Sequence, residues 1–227
     1  MNTSSSTQIA GQLGWLAFFG VFVFVAGIVV AGLAYDGYSH VDQMISELGG
    51  ADATRPWIQN INFALVGLTT TGLAIGLMID AGRVFLGAVL VAVMGISGTI
   101  LNGTLHCDSG CEGATTEGLL HLMTGLVGFL SMVVGLFFLI RHFRQDSRWA
   151  GHVRFTRISA WATLAGFLLF AASDGVPEWD GLAQRIFVLP VLVFVAVTGW
   201  RLAHIAAAAP GTDVDPSALG SEVLQHL

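Results

Sequence analysis

His121 stands in GLLHLMTGLVGFL, a stretch with no other ionisable side chain. An imidazole there is costly against lipid, so it either ties two helices together or serves as a ligand or acid–base group. Its nearest polar neighbours along the chain are His106 and Asp108, which alternate about Cys107 in His-Cys-Asp. With Asp108 to orient it, His121 has the makings of a general base. His106, Asp108 and His121 together also offer imidazole and carboxylate donors suited to Zn²⁺. Ser46, in Ile-Ser-Glu-Leu-Gly, is a candidate nucleophile or oxyanion donor, and equally a candidate cap. Arg185 opens an apolar run and must either snorkel or pair with Glu178 or Asp174. Its guanidinium would suit a phosphate-bearing headgroup, with His40 and Glu47 as further candidate substrate-binding groups. Cys107 and Cys111, the only cysteines, are expected to form a disulfide over a small loop; a thiol metal site is the alternative.

The elements that must position these groups are membrane spans. Apolar runs cover Leu13–Leu33, Phe63–Ile79, Val84–Leu101, Leu119–Ile140, Phe155–Ala172 and Ile186–Trp200. A helix needs about 20 apolar residues to cross the hydrocarbon core, and the last run reaches that between Leu182 and Ile205. Continuous rather than alternating apolarity excludes a closed barrel. Hydrophobic residues make up 54% of the 227, charged residues 11%, and mean hydropathy is +0.75. The expected fold is an all-α integral membrane bundle of six transmembrane helices over residues 13–205. Residues 1–12 and 206–227 read as flexible flanks, the second rich in Ala, Pro, Gly and Asp. The uncharged N-terminus lacks the basic region of a signal peptide. In the first connection, Val41, Met44, Ile45 and Leu48 have the spacing of a short interfacial helix.

Charge assigns the two faces. All cationic side chains other than His are Arg, and Arg83, Arg141, Arg144, Arg148, Arg154, Arg157 and Arg201 fall on one side. Arg55 and Arg185 fall on the other, with most of the carboxylates and both cysteines. Positive residues are retained inside, so both termini are expected in the cytoplasm of a multi-pass cell-membrane protein. The net charge of −6 argues against a nucleic-acid partner. On this topology His40, Ser46, Glu47, Asn102, His106, Asp108, His121, Asp174, Glu178, Asp180, Gln184 and Arg185 converge at the outer ends of the helices. His142, His152 and His204 are expected at the other end, in solvent or among headgroups.

The pattern resembles a prokaryotic membrane family, domain of unknown function 998. The residues that carry the likeness are Tyr38-Ser39-His40 leading to Ile45-Ser46-Glu47-Leu48-Gly49, Asn62-Phe63, Asp108, His121 and Gly181-Leu182-Ala183-Gln184-Arg185. Leu105-His106-Cys107 replaces a Pro-containing turn, and Gln184 stands where the family pattern has Glu. The family is distantly similar to the Frag/DRAM/Sfk-type six-helix proteins. The resemblance implies fold and topology and supplies no activity. A fainter analogy is to the alkaline-ceramidase-related membrane amidases, which have one helix more and a paired His-x3-His absent here.

Membrane lipids are the expected partners. A lipid-headgroup binder or lipid-modifying hydrolase would use His121, Asp108, Ser46 and Arg185. A non-catalytic organising or lipid-binding protein would use the same pocket without chemistry. A small-solute transporter needs a polar path, and mid-depth positions carry almost no ionisable residue.

Overall fold

A computed structural model describes residues 3–173 and 177–209. Asp174 and the segment beyond residue 209 lie outside the described residues. The chain is all-helical, with no strand among the described residues, and six helices are long and apolar enough to cross a membrane. They are α1 (Thr3–Leu33), α2 (Pro56–Asp80), α3 (Leu86–Thr104), α4 (Thr116–Phe143), α5 (Val153–Ser173) and α6 (Asp180–Ala207). The protein is a multi-pass membrane protein. Phe19, Phe22, Leu168 and Leu189 are each more than half exposed, as lipid-facing side chains must be.

Neighbours in sequence are neighbours in space. Each helix packs on the next, and α6 returns to α1, which closes a ring. Small residues set the closest crossings. At the α3–α4 crossing a Cβ on Gly128 would stand 2.3 Å from the Gly98 Cα, so the two backbones touch and neither position has room for a side chain. Beside this contact α3 loosens into a π turn at Ile96–Leu101, where Thr99 Oγ1 donates back to the Gly95 carbonyl at 2.6 Å.

Three local expectations are corrected. Helix α1 begins at Thr3, well before the apolar run, because Gly11 packs on Ala206 at the end of α6 and the buried Ala10 lies against Gly76 of α2. The Val41–Leu48 stretch is a series of turns closing in one 3-10 turn, Ser46–Gly49, with Ile45 and Leu48 buried and Val41 exposed. Tertiary hydrogen bonds to α6 take the backbone groups that a helix there would have used. His152 is buried rather than in solvent. It is 6% exposed, meets Thr198 Oγ1 through Nε2 at 3.0 Å, and packs among Phe143, Trp149 and Phe155.

Candidate functional site

Residues 34–55 fold back over one end of the ring as a lid. Ile45 inserts between helices and clusters with Phe24, Phe63 and Val66. Burying such a side chain contributes about 1.5–3 kcal/mol. The rest of the attachment is polar, and most of it goes to the first turns of α6. The opening N–H groups of a helix have no partner within it. Here the lid supplies partners: Gly181 N–H donates to the Asp42 carbonyl at 3.3 Å and Leu182 N–H to the Val41 carbonyl at 2.8 Å. Glycine is required at 181, since a Cβ would lie 2.2 Å from the Gln43 carbonyl oxygen. Gln184 Oε1 accepts from the buried Ile45 N–H at 2.6 Å. A neutral amide does this without the desolvation that a glutamate would incur at the same place.

Arg185 completes the latch. Its Nη1 donates to the carbonyls of Gln43 and Gly181, both at 2.8 Å. Its Nη2 donates to Tyr38 Oη at 2.6 Å and meets His40 Nδ1 at 2.9 Å. Among the described residues no carboxylate lies within ion-pair distance of it, and Glu178 is not its partner. Among the described residues the half-buried guanidinium is therefore held by neutral acceptors alone. Burial pushes the Tyr38 phenol above its ordinary pKa, against the pull of Arg185. Burial, and then the Arg185 charge, hold the His40 imidazole below 6.5, which favours the neutral ring that can accept through Nδ1. Glu47 stays within the lid, accepting from Met44 N–H at 2.7 Å and from Gln43 Nε2 at 3.3 Å.

The α3–α4 connection abuts the lid from the other side. Cys107 and Cys111 are joined as a disulfide with their Cα atoms 4.8 Å apart. The Cys107 carbonyl accepts from Ala51 N–H at 3.0 Å, and its sulfur lies 3.4 Å from the Ser46 carbonyl oxygen. Asp108 accepts from the N–H groups of Gly113 and Thr115 at 3.0 and 2.8 Å, which shapes the entry to α4. The Thr115 amide, first among these bonds, holds the Asp108 carboxyl below the usual carboxylate range. His106 pairs with Glu117 at 2.8 Å on the exposed surface.

His121 is 3% exposed and points at α3. Its Nδ1 lies 2.7 Å from the Leu105 carbonyl, which can only accept, so Nδ1 carries the proton. Nε2 then faces Asn102 Nδ2 at 3.4 Å, while Thr124 Oγ1 donates to Asn102 Oδ1 at 2.6 Å. The two α4 side chains thus grip Asn102, the interhelical tie between α3 and α4 that an imidazole at this depth can make. No hydrogen bond joins His121 to Asp108, or either of them to the Ser46 side chain, among the described residues.

The proposed zinc donors do not gather. His106, Asp108 and His121 are each engaged elsewhere, by Glu117, by loop amides and by α3 respectively. Among the described residues the one cluster of donors within 4.8 Å of one another is Cys107, Cys111 and His121, and its two sulfurs are bonded together. Neither set as placed fits a metal, which needs free thiolate or lone-pair donors.

Beneath the lid, at the centre of the ring, lies a cavity of about 40 Å³. Its walls are apolar, with Phe24, Phe63, Val188 and Leu192 among them, and Ser46, Asn102 and Gln184 bring polar side chains to it. The π turn contributes Gly98 and Thr99 to the wall. Tyr38, whose hydroxyl accepts from Arg185 in the latch, has no standing in the sequence beyond its place in a family pattern, whereas Gln184 is among the polar groups expected at this end. No curated protein and no solved structure matches the chain. The model of one family, "Protein of unknown function (DUF998)", matches residues 18–201, a span that takes in the lid, the latch and the α3–α4 tie: the chain belongs to the DUF998 family.

Proposed function

We propose that the lidded end faces outward and holds an apolar chain of a membrane lipid in the central cavity, without chemistry. One observation carries this reading: an apolar cavity lies inside the bundle beneath a roof seated by polar contacts, beside a π turn of the kind that recurs at functional sites. In its closed form the cavity has room for a few water molecules, far below the ~300 Å³ of an occupied ligand pocket. Entry of a chain therefore lifts Ile45 and the lid, leaving Ser46, Asn102 and Gln184 to meet the polar end. The Arg185 charge beside the roof favours an anionic head by its field, although its donors already serve the latch. Binding is favoured over hydrolysis because Ser46, His121 and Asp108 do not form a nucleophile, base and orienting group.

The test is the lipid content of purified protein. Val191→Phe places a larger side chain against the cavity and should reduce co-purifying lipid severalfold, with helix content and melting near wild type. Unchanged lipid content would overturn the reading. Orientation follows from the Arg bias, and a reporter thiol settles it in intact cells. A cysteine at Gly113 should label from outside and one at Gln145 should not. Labelling of Gln145 alone reverses the assignment.

A further inference from the structure

The opposite, Arg-rich end holds a second and more open recess that the lidded site does not use. It measures about 320 Å³ and lies between the α2–α3 turn and the α4–α5 connection, lined by Arg83, His142, Gln145, Asp146, Ser147 and Arg148. We propose that it is a binding site for a phosphate group, carried by a lipid headgroup or free in solution.

The walls are fixed before any ligand arrives. Asp80, with its side chain 8% exposed, accepts from Arg148 Nη1 at 2.7 Å and from Trp149 Nε1 at 3.1 Å. Asp146, the one carboxylate on the lining, accepts from Arg148 Nε and Nη2 and from the Arg148 backbone N–H. Both acids are thereby turned to Arg148 and pin the two connections to each other. Arg83 is exposed and has no ion pair among the described residues. His142 lies flat on Phe85, ring centroids 3.8 Å apart, and its Nδ1 is buried without a hydrogen-bond partner.

Chemistry selects the ligand class. Arg83 offers a guanidinium fork, His142 a ring N–H, and Gln145 and Ser147 neutral donors, and this set matches a tetrahedral oxyanion. The surrounding field agrees, because seven arginines stand at this end against Asp80 and Asp146 among the described residues. Basic pockets between helices at a headgroup level are a known way for membrane proteins to hold phosphate-bearing lipids.

The experiment uses the full chain in detergent and in nanodiscs. Inorganic phosphate is titrated against the detergent sample and followed by thermal shift. Phosphatidylglycerol is set against phosphatidylcholine in nanodiscs and counted by native mass spectrometry. The variants are Arg83→Gln and His142→Phe, the second keeping the stack on Phe85, with Arg157→Gln as a control at the same end but away from the recess. Each recess variant should weaken phosphate or phosphatidylglycerol binding about tenfold, the loss of one charge-assisted hydrogen bond, and the control should not. A response to inorganic phosphate assigns a free-phosphate site. A response to phosphatidylglycerol alone assigns a headgroup site. Equal binding by wild type and both recess variants, or an equal loss in Arg157→Gln, overturns the proposal. Cavity occupancy at the lidded end is read separately, through Val191→Phe.

Discussion

The two ends of the bundle are closed by different physics. At the lidded end one cation, Arg185, is held by carbonyls, a phenol and an imidazole, and helix α6 is capped by the lid backbone. At the Arg-rich end one cation, Arg148, is held by two carboxylates that bridge neighbouring connections. Neutral acceptors bind a charge directionally and leave its field intact, whereas paired carboxylates cancel it. The first arrangement suits a closure that opens while still attracting an anion. The second suits a rigid frame around a recess.

Four predictions sharpen or break this contrast. The largest effect belongs to Gly181→Leu, whose Cβ would collide with the Gln43 backbone. It should cost about 3 kcal/mol and expose residues 34–55 to protease, read by thermal melting and limited digestion. A protease-resistant lid in that variant would show that the α6 contact does not hold it.

Arg185→Met removes four hydrogen bonds and should cost about 2 kcal/mol, little altered by salt because its partners carry no charge. Asp80→Asn should cost about 1 kcal/mol, and the cost should shrink near 1 M salt, where the Debye length is about 3 Å. Melting curves of both variants at low and high salt decide the matter. If Arg185→Met were the more salt-sensitive of the two, the contrast between the ends would fail.

The smallest effect separates the ends by pH. The folded pKa of His40 lies below its ordinary 6.5, so its contribution is present above that value and is lost as pH falls through the folded pKa. That of Asp146 lies below 3.8, held there first by hydrogen bonds from Arg148, so its contribution persists until pH falls below that range. Lid protease sensitivity should therefore rise in mild acid, in the wild type and not in His40→Gln. The Asp146–Arg148 pairing should hold until stronger acid, followed by the carboxyl NMR signal of Asp146. Protonation of Asp146 in the same mild acid that loosens the lid would contradict the two titration windows.

Much of this architecture is legible in the chain. Six apolar runs fix six spans because hydropathy is a local property, and lipid leaves the backbone no choice but helix. The sorting of Arg to one side, the Cys107–Cys111 pairing and an interhelical role for His121 follow from composition, spacing and the cost of a buried imidazole. The site was less legible. His106, Asp108 and His121 stand close in sequence, which invites a shared ligand, yet each side chain takes a nearer backbone or surface partner. Ile45 and Gln184 stand 139 residues apart and form the buried bond that seats the lid.

The sequence alone determines the solvent, the number of spans and the end at which polar groups collect, since all three depend on residues read one segment at a time. Tertiary structure decides which polar groups meet. The lid abandons its helical periodicity because the first amides of α6 lie within reach of its carbonyls. Arg185 takes neutral acceptors rather than Glu178 because the lid places Tyr38, His40 and Gln43 closer. His152 is buried because Thr198, far along the chain, lies across from it to satisfy its ring. Such partnerships are set by distance in space, and no local pattern of residues records them.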